Sequence, residues 1–131
     1  LLDTDICIFF LRGKLNLNEI IRKKGLENCY ISEITVFELK YGAENSDNPK
    51  KSHKAVDKFV KGLTVIPIFG IVYQYANSKV YLRKNGTPLH DEFDLIIGVT
   101  ALANEMTLVS DNTKDLRNIK NLKLENLVER K

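Results

Sequence analysis

The sequence predicts an α/β protein, a three-layer α/β/α fold whose central, mostly parallel sheet has four to five strands flanked by helices. Three observations carry that expectation. Short apolar runs of strand length alternate along the chain with amphipathic runs of helix length, the order that yields a parallel sheet covered on both faces. A length of 131 residues suits a single domain, 1–131, with no room for a second core. Finally, the acidic residues that punctuate the apolar runs fall at or just beyond strand ends, where an open α/β sheet forms its ligand crevice.

The chain opens with LLDTDICIFF. A soluble fold seldom buries an unpaired carboxylate, so Asp3 is expected to end a core strand at its solvent edge. Residues 5–11 read as the first helix, closed by Arg12-Gly13, with capping assigned to Asp5 rather than to Asp3. Asp3 and Asp5 interrupt the opening apolar run, which argues against a signal peptide. The abrupt entry into that run suggests that a few strand residues precede Leu1 in the native chain.

Residues 15–24 form a short amphipathic helix with Leu17, Ile20 and Ile21 on its apolar side, ended by Gly25. NCYI (residues 28–31) is a second strand. Ser32 starts a helix that runs to Tyr41-Gly42, with Val36, Phe37, Leu39 and Tyr41 as its apolar surface and Glu38 among them. GAENSDNPKK (residues 42–51) has the composition of a turn between antiparallel helices. The next helix, residues 52–62, turns Ala55, Val56, Phe59 and Val60 inward and carries Lys51, Lys54, Lys58 and Lys61 on a solvated face, with His53 as a surface residue.

LTVIPI (residues 63–68) is a third strand, which Pro67 confines to an edge or an end. Residues 71–83 form a helix with Val72, Tyr73, Ala76, Val80 and Tyr81 inward. Then comes DEFDLIIGVTALANEMTLVSDNTKDL (residues 91–116), around which the chain is organised: an acidic cluster, a small-residue helix over 95–104, a strand at 107–109 and a second polar cluster. Alternate apolar residues Leu122, Leu124 and Leu127 suggest a final edge strand.

Bulk properties exclude several classes. No apolar run is long enough to span a bilayer. Cys7 and Cys29 are the only cysteines, and without CxxC spacing or His neighbours they read as buried thiols in a reducing cytosol. The net charge of +3 is too small to argue for nucleic-acid binding. Acids gathered in one crevice would nevertheless leave the remaining surface distinctly basic.

The spacing directs Asp3, Glu38, Asp94 and the Asp111–Asp115 cluster toward one crevice. Carboxylates so placed repel one another unless a cation intervenes, and oxygen-only ligands suit Mg²⁺ or Mn²⁺ rather than zinc. A carboxylate-held Mg²⁺ activates water and stabilises the charge of an in-line phosphoryl displacement. The residues thus point to metal-assisted hydrolysis of a phosphoester or phosphodiester, with the substrate left open.

Two resemblances bear on that choice. DTD (Asp3, Asp5) and DNTKD (Asp111, Asp115) match in outline the haloacid-dehalogenase-like phosphatases, but the Ser/Thr-ended second-strand motif with its following Lys is not found. LLDTDICIFFLRG, ISEITVFELKYGA and GTPLHDEFDLIIGVTALANEMTLVSDNTKDL, in that order and spacing, resemble PIN-domain ribonucleases, and among them the VapC toxins of toxin–antitoxin pairs. The second resemblance covers nearly the whole chain. It implies that Asp3, Glu38 and Asp94 are metal-binding catalytic acids, joined by Asp115.

In the last motif Asn112 and Asp115 match the polar positions where many relatives read T-x-N-x-x-D-F; Ser110 replaces the Thr and Leu116 the Phe. Asn112 and Asp91 are further candidate ligands, the latter alternatively a helix N-terminal residue. Arg12, Ser110, Asn112 and the lysine stripe are candidate RNA contacts. The resemblance also implies a Mg²⁺-dependent (or Mn²⁺-dependent) cut in RNA, with initiator tRNA as substrate in the subgroup it is most similar to. It implies a homodimer and a cognate antitoxin whose C-terminal segment blocks the acidic crevice. A PIN-like module that binds without cleaving is the alternative of a different class.

Overall fold

A computed structural model describes residues 1–14 and 16–128. The helices are α1 (Thr4–Leu11), α2 (Leu17–Lys24), α3 (Glu33–Glu44), α4 (Pro49–Lys61), α5 (Val72–Lys84), α6 (Glu92–Ala103) and the single turn α7 (Thr113–Leu116). The strands are β1 (Tyr30–Ser32), β2 (Thr64–Ile66), β3 (Thr107–Val109) and β4 (Lys123–Glu125). β1 pairs with β2 and β3 with β4, both in parallel.

Residues 1–3 join the two pairs. Leu2 bridges Val109 in parallel, the Asp3 amide donates to the Val109 carbonyl at 2.9 Å, and the Leu2 amide donates to the Tyr30 carbonyl at 2.8 Å. The spatial order is therefore β2, β1, residues 1–3, β3, β4, which meets the expectation of four to five parallel strands.

Alternation along each strand sends neighbours into two cores. Leu2, Ile31 and Val109 pack with α1, α2, α3 and α4, whereas Leu1, Leu108 and Leu124 pack with α6 and α7. That is the expected three-layer arrangement. β2 and β4 are the edges, and Pro67 sits just beyond the end of β2, where a missing amide breaks no ladder. Cys7 and Cys29 are both buried and free.

Several elements depart from their expected limits or faces. The first helix starts at Thr4, one residue early, with Asp3 rather than Asp5 at its N-cap. Asp3 is also 3% exposed, well inside the edge where it was expected. Hydroxyl and amide donors around it make that burial possible. Of the helix expected over 15–24, Leu15 lies outside the described residues, and the observed helix follows Asn16. The stretch 42–51 is mostly helical, since α3 runs on to Glu44 and α4 begins at Pro49. Proline is favoured at the first helical position, where its missing amide has no partner to lose, and Asn48 caps it.

The α3–α4 hairpin is clasped by Lys40–Asp57 and by His53 Nε2 to Glu44 Oε2 at 2.6 Å, so His53 is a tie between helices. In α3 the buried residues are Ile34, Thr35, Leu39 and Ala43, while Phe37 and Tyr41 are 67% and 73% exposed. In α5 the inward line is Tyr75, Ser78 and Leu82, continuing from Ile71 just before the helix, while Val72, Tyr73, Ala76, Val80 and Tyr81, expected inward, are all exposed. Both helices offer two apolar lines at helical spacing; α3 turns in the one with Leu39, and α5, which packs on α6, the one with Leu82.

α6 is buried along most of its length, and Gly98 is where it meets the C-terminal turn most closely. A Cβ built there would lie 2.5 Å from Ile119 Cδ1 and 3.4 Å from Leu116 Cδ2. A Gly98→Val substitution should therefore lower unfolding free energy by about 1–3 kcal/mol through overpacking, read from urea midpoints with an unchanged m-value.

Candidate active site

The carboxyl ends of the strands and the starts of the adjoining helices meet in one acidic crevice. Asp3 arrives from the central strand position and caps α1, its Oδ1 accepting from the Thr4 amide at 2.8 Å. Its Oδ2 accepts from the Ser110 hydroxyl at 2.7 Å, just past the end of β3. Glu38 lies on the flank of α3, and its Oε1 accepts from the Thr4 hydroxyl at 2.7 Å. Asp94 sits in the first turn of α6, where the helix dipole favours negative charge. The Asn112 side-chain amide donates to Asp94 Oδ2 at 3.2 Å.

The turn after β3 is held to the rest. The Asn112 amide donates to Ser110 Oγ at 2.9 Å and the Asp111 amide to Asp5 Oδ2 at 3.0 Å. The Ser110 amide donates to the Glu125 carbonyl at 3.0 Å, which fixes the turn to β4.

Asp3, Glu38, Asp94, Ser110 and Asn112 thus come together as the spacing suggested. Asp91 serves as the N-cap of α6, accepting from the amides of Phe93 and Asp94, and its charge acts on Glu38 and Asp94. Asp5, assigned to capping by sequence reasoning, belongs to the acidic group: it shares Ser110 with Asp3 at 3.5 Å. Its DTD spacing was the available signal. Asp115 is exposed on α7 and forms no side-chain hydrogen bond or ion pair with this group among the described residues. Arg12 is exposed at the end of α1, in the lining of a groove that also includes Glu38.

The electrostatics record a shared charge. Burial, opposed by bonds from Ser110 and Thr4 and reinforced by Asp94 and Glu38, pushes Asp3 up to about 6. Burial followed by the charge of Asp3 takes Asp5 to about 6. Burial and then the charges of Asp91, Glu38 and Asp5 take Asp94 to about 6. Glu38 is raised as well, by burial first, with the Thr4 bond pulling the other way.

Among the described residues, no basic side chain forms a salt bridge with Asp3, Asp5, Glu38 or Asp94. Nor are three or more Asp, Glu, His or Cys side chains arranged to hold a metal ion as they stand; the carboxylates are directed at hydroxyls and amides instead. The donor set itself fits a hard divalent cation, with oxygen ligands and negative charge left uncompensated.

A parallel α/β sheet that gathers carboxylates from its central strand, from α3 and from the start of α6 defines an acidic-site fold of nuclease type. The PIN domain family model matches residues 1–122, and the chain belongs to that family. The phosphatase likeness is then confined to two short segments.

The chain is 30% identical to ribonuclease VapC2 of Rickettsia felis, covering 96% of each, and 31% identical to ribonuclease VapC2 of Haemophilus influenzae, covering 98% and 97%. It is 28% identical to the tRNA(fMet)-specific endonuclease VapC of Shigella flexneri over 95% of each chain. Among solved structures, DNA-bound VapBC from Salmonella typhimurium superposes with a TM-score of 0.88 at 27% identity, over 95% of each chain. VapBC2 of Rickettsia felis, bound to a fragment of its promoter DNA, gives 0.86 at 28%, over 95% and 96%.

The raised carboxyls set a pH dependence. In the unfolded chain an aspartate titrates near its ordinary 3.8, whereas folded Asp3, Asp5 and Asp94 titrate near 6. Between those values the native state binds more protons, so stability increases as pH falls through 6 and is lost as pH rises through it. In EDTA, the melting temperature should rise by a few degrees from pH 7.5 to 5.5, and Asp3→Asn should flatten part of that rise. A melting temperature that drops over this interval contradicts the assignment.

Proposed function

We propose that this chain is a divalent-metal-dependent endoribonuclease, the toxin of a toxin–antitoxin pair, with tRNA as its substrate and the initiator tRNA anticodon loop as the first candidate. The observation that carries the reading is the convergence of Asp3, Glu38 and Asp94, drawn from three elements far apart in sequence, into one crevice with raised carboxyl pKa values. Membership of the PIN family and the names of the relatives support it.

Asp3, Glu38 and Asp94 would hold the cation, Mg²⁺ or Mn²⁺, with Asn112 orienting Asp94 and Asp91 adding charge; Asp115 is the outlying candidate. When bound, the cation supplies Lewis-acid charge that activates water and offsets the charge gained at phosphorus. Bound there, the cation offsets the mutual repulsion of acids that burial and one another's charge have raised. Water attacks phosphorus in line with the departing 3′-oxygen, leaving a 5′-phosphate and a 3′-hydroxyl. Arg12 and the exposed Lys51, Lys54, Lys58 and Lys61 contact the RNA backbone, which makes binding weaken with salt; Ser110, expected among these contacts, is fully buried with its hydroxyl given to Asp3 and serves the acids instead.

A groove of about 290 Å³ between α1, α3 and α4 is lined by Ile8, Leu11, Leu39, Ala43 and Val56 and reaches Arg12 and Glu38. It suits an apolar antitoxin segment that ends in an arginine: the guanidinium would meet the carboxylates as a substitute for the cation. Exposed Phe37 and Tyr41 on α3, Phe69 in the turn before α5 and Tyr73 at its start supply the apolar area for a homodimer.

Purified protein should cut a tRNA pool in Mg²⁺, lose the activity in EDTA, and lose at least about a hundredfold on Asp94→Asn. End mapping then names the cut site. Cuts that persist in the variant indicate a contaminating nuclease, whereas binding without cutting under every condition would make the chain a binding module.

A further inference from the structure

Two threonines stand behind the acidic crevice with no part in the chemistry described so far. Thr4 is 7% and Thr35 0% exposed. Thr4 Oγ1 lies 2.7 Å from Glu38 Oε1 and 3.0 Å from Thr35 Oγ1. A hydroxyl has one proton to give. An ionised Glu38 can only accept, so the Thr4 proton is committed to it, and the contact with Thr35 must then be made by the Thr35 proton. The bonds run in one direction, from Thr35 to Thr4 to Glu38.

Local capping does not require this arrangement. The N-cap bond of α1 is already made by Asp3 Oδ1 to the Thr4 amide, so the Thr4 hydroxyl is free of that duty. Glu38 sits at the edge of α3 with a long, rotatable side chain, and among the described residues Thr4 is its one side-chain hydrogen-bond donor. The residue whose amide donates to the capping carboxylate of Asp3 therefore also reaches Glu38 with its hydroxyl. One backbone position links two of the three principal acids.

We propose that Thr4 is a positioning residue for Glu38, and that Thr35 acts through it by accounting for the second contact of the Thr4 hydroxyl. The inference rests on the nuclease reading, in which Glu38 holds the cation. A carboxylate on a flexible stem must be held near its productive geometry, and supporting hydrogen bonds to a ligating carboxylate commonly do so.

The test compares Thr4→Val, Thr4→Ser, Thr35→Val and the double valine variant, with Glu38→Gln as reference. Valine keeps the shape of threonine and removes only the hydroxyl, and thermal melts check that each variant is folded. Thr4→Val should lower kcat about tenfold, the scale of one lost bond to a charged group, with KM for RNA unchanged. It should also weaken Mn²⁺ binding, read from the free-ion EPR signal without any RNA present. Thr4→Ser should restore both to within about twofold. Thr35→Val should reduce kcat in the native background and have no further effect on top of Thr4→Val, the non-additivity expected of residues acting in series.

Folded Thr4→Val with native kcat and native Mn²⁺ affinity overturns the proposal if Glu38→Gln is impaired. Additive losses for the two valines overturn the part assigned to Thr35. A fully active Glu38→Gln instead removes the reading on which the inference stands, and the two failures are thereby told apart.

Discussion

The structure depends on three residues. Residues 1–3 occupy the middle of the sheet, bonded to Tyr30 on one side and to Val109 on the other. Without them β1–β2 and β3–β4 are separate two-stranded ribbons, each too small to be stable alone. Leu1 enters one core and Leu2 the other, so the same segment links both helical layers. Asp3 follows at once, and its burial is fixed by that position. The carboxylate is placed where strand packing requires the chain to pass, and Ser110 and Thr4 are there to accommodate it.

The electrostatic character of the crevice follows from the same constraint. A single buried carboxylate with two donors is tolerable, but Asp5, Glu38 and Asp94 bring more negative charge without a basic partner among the described residues. The apo site is thus a place where the fold gives up stability at neutral pH. Such a loss is what a binding site for a hard cation requires, because compensation is left for the ligand to provide.

Much of this was legible in the sequence. Strand and helix alternation disclosed the layers, and the positions of Asp3, Glu38 and Asp94 relative to strand ends disclosed the crevice. The inward faces of α3 and α5 were not legible, because period alone does not say which of two apolar lines turns inward. Phe37 and Tyr41 in α3, and Val72, Tyr73 and Val80 in α5, are apolar residues at plausible spacing that the fold leaves exposed. The cost of burying a carboxylate argues against Asp3 as a buried cap, and nothing local in the sequence points to the hydroxyl of Ser110, more than a hundred residues away, that offsets it. The helical start at Pro49 was hidden by a loop-like composition that also suits a capped first turn.

The origin of the site's parts has a kinetic consequence. Its side chains come from residues 3, 38, 94 and 110–112, and the turn bearing the last group is fixed to β4 through Glu125. These contacts span nearly the full sequence, and contacts of such separation form late because long loops must close first. A chain still emerging from the ribosome can assemble α1–α4 and set residues 1–3 beside β1, but the other side of residues 1–3 has no neighbour until β3 is made. The acidic crevice therefore cannot be assembled from a chain that stops short of Ser110 and Asn112.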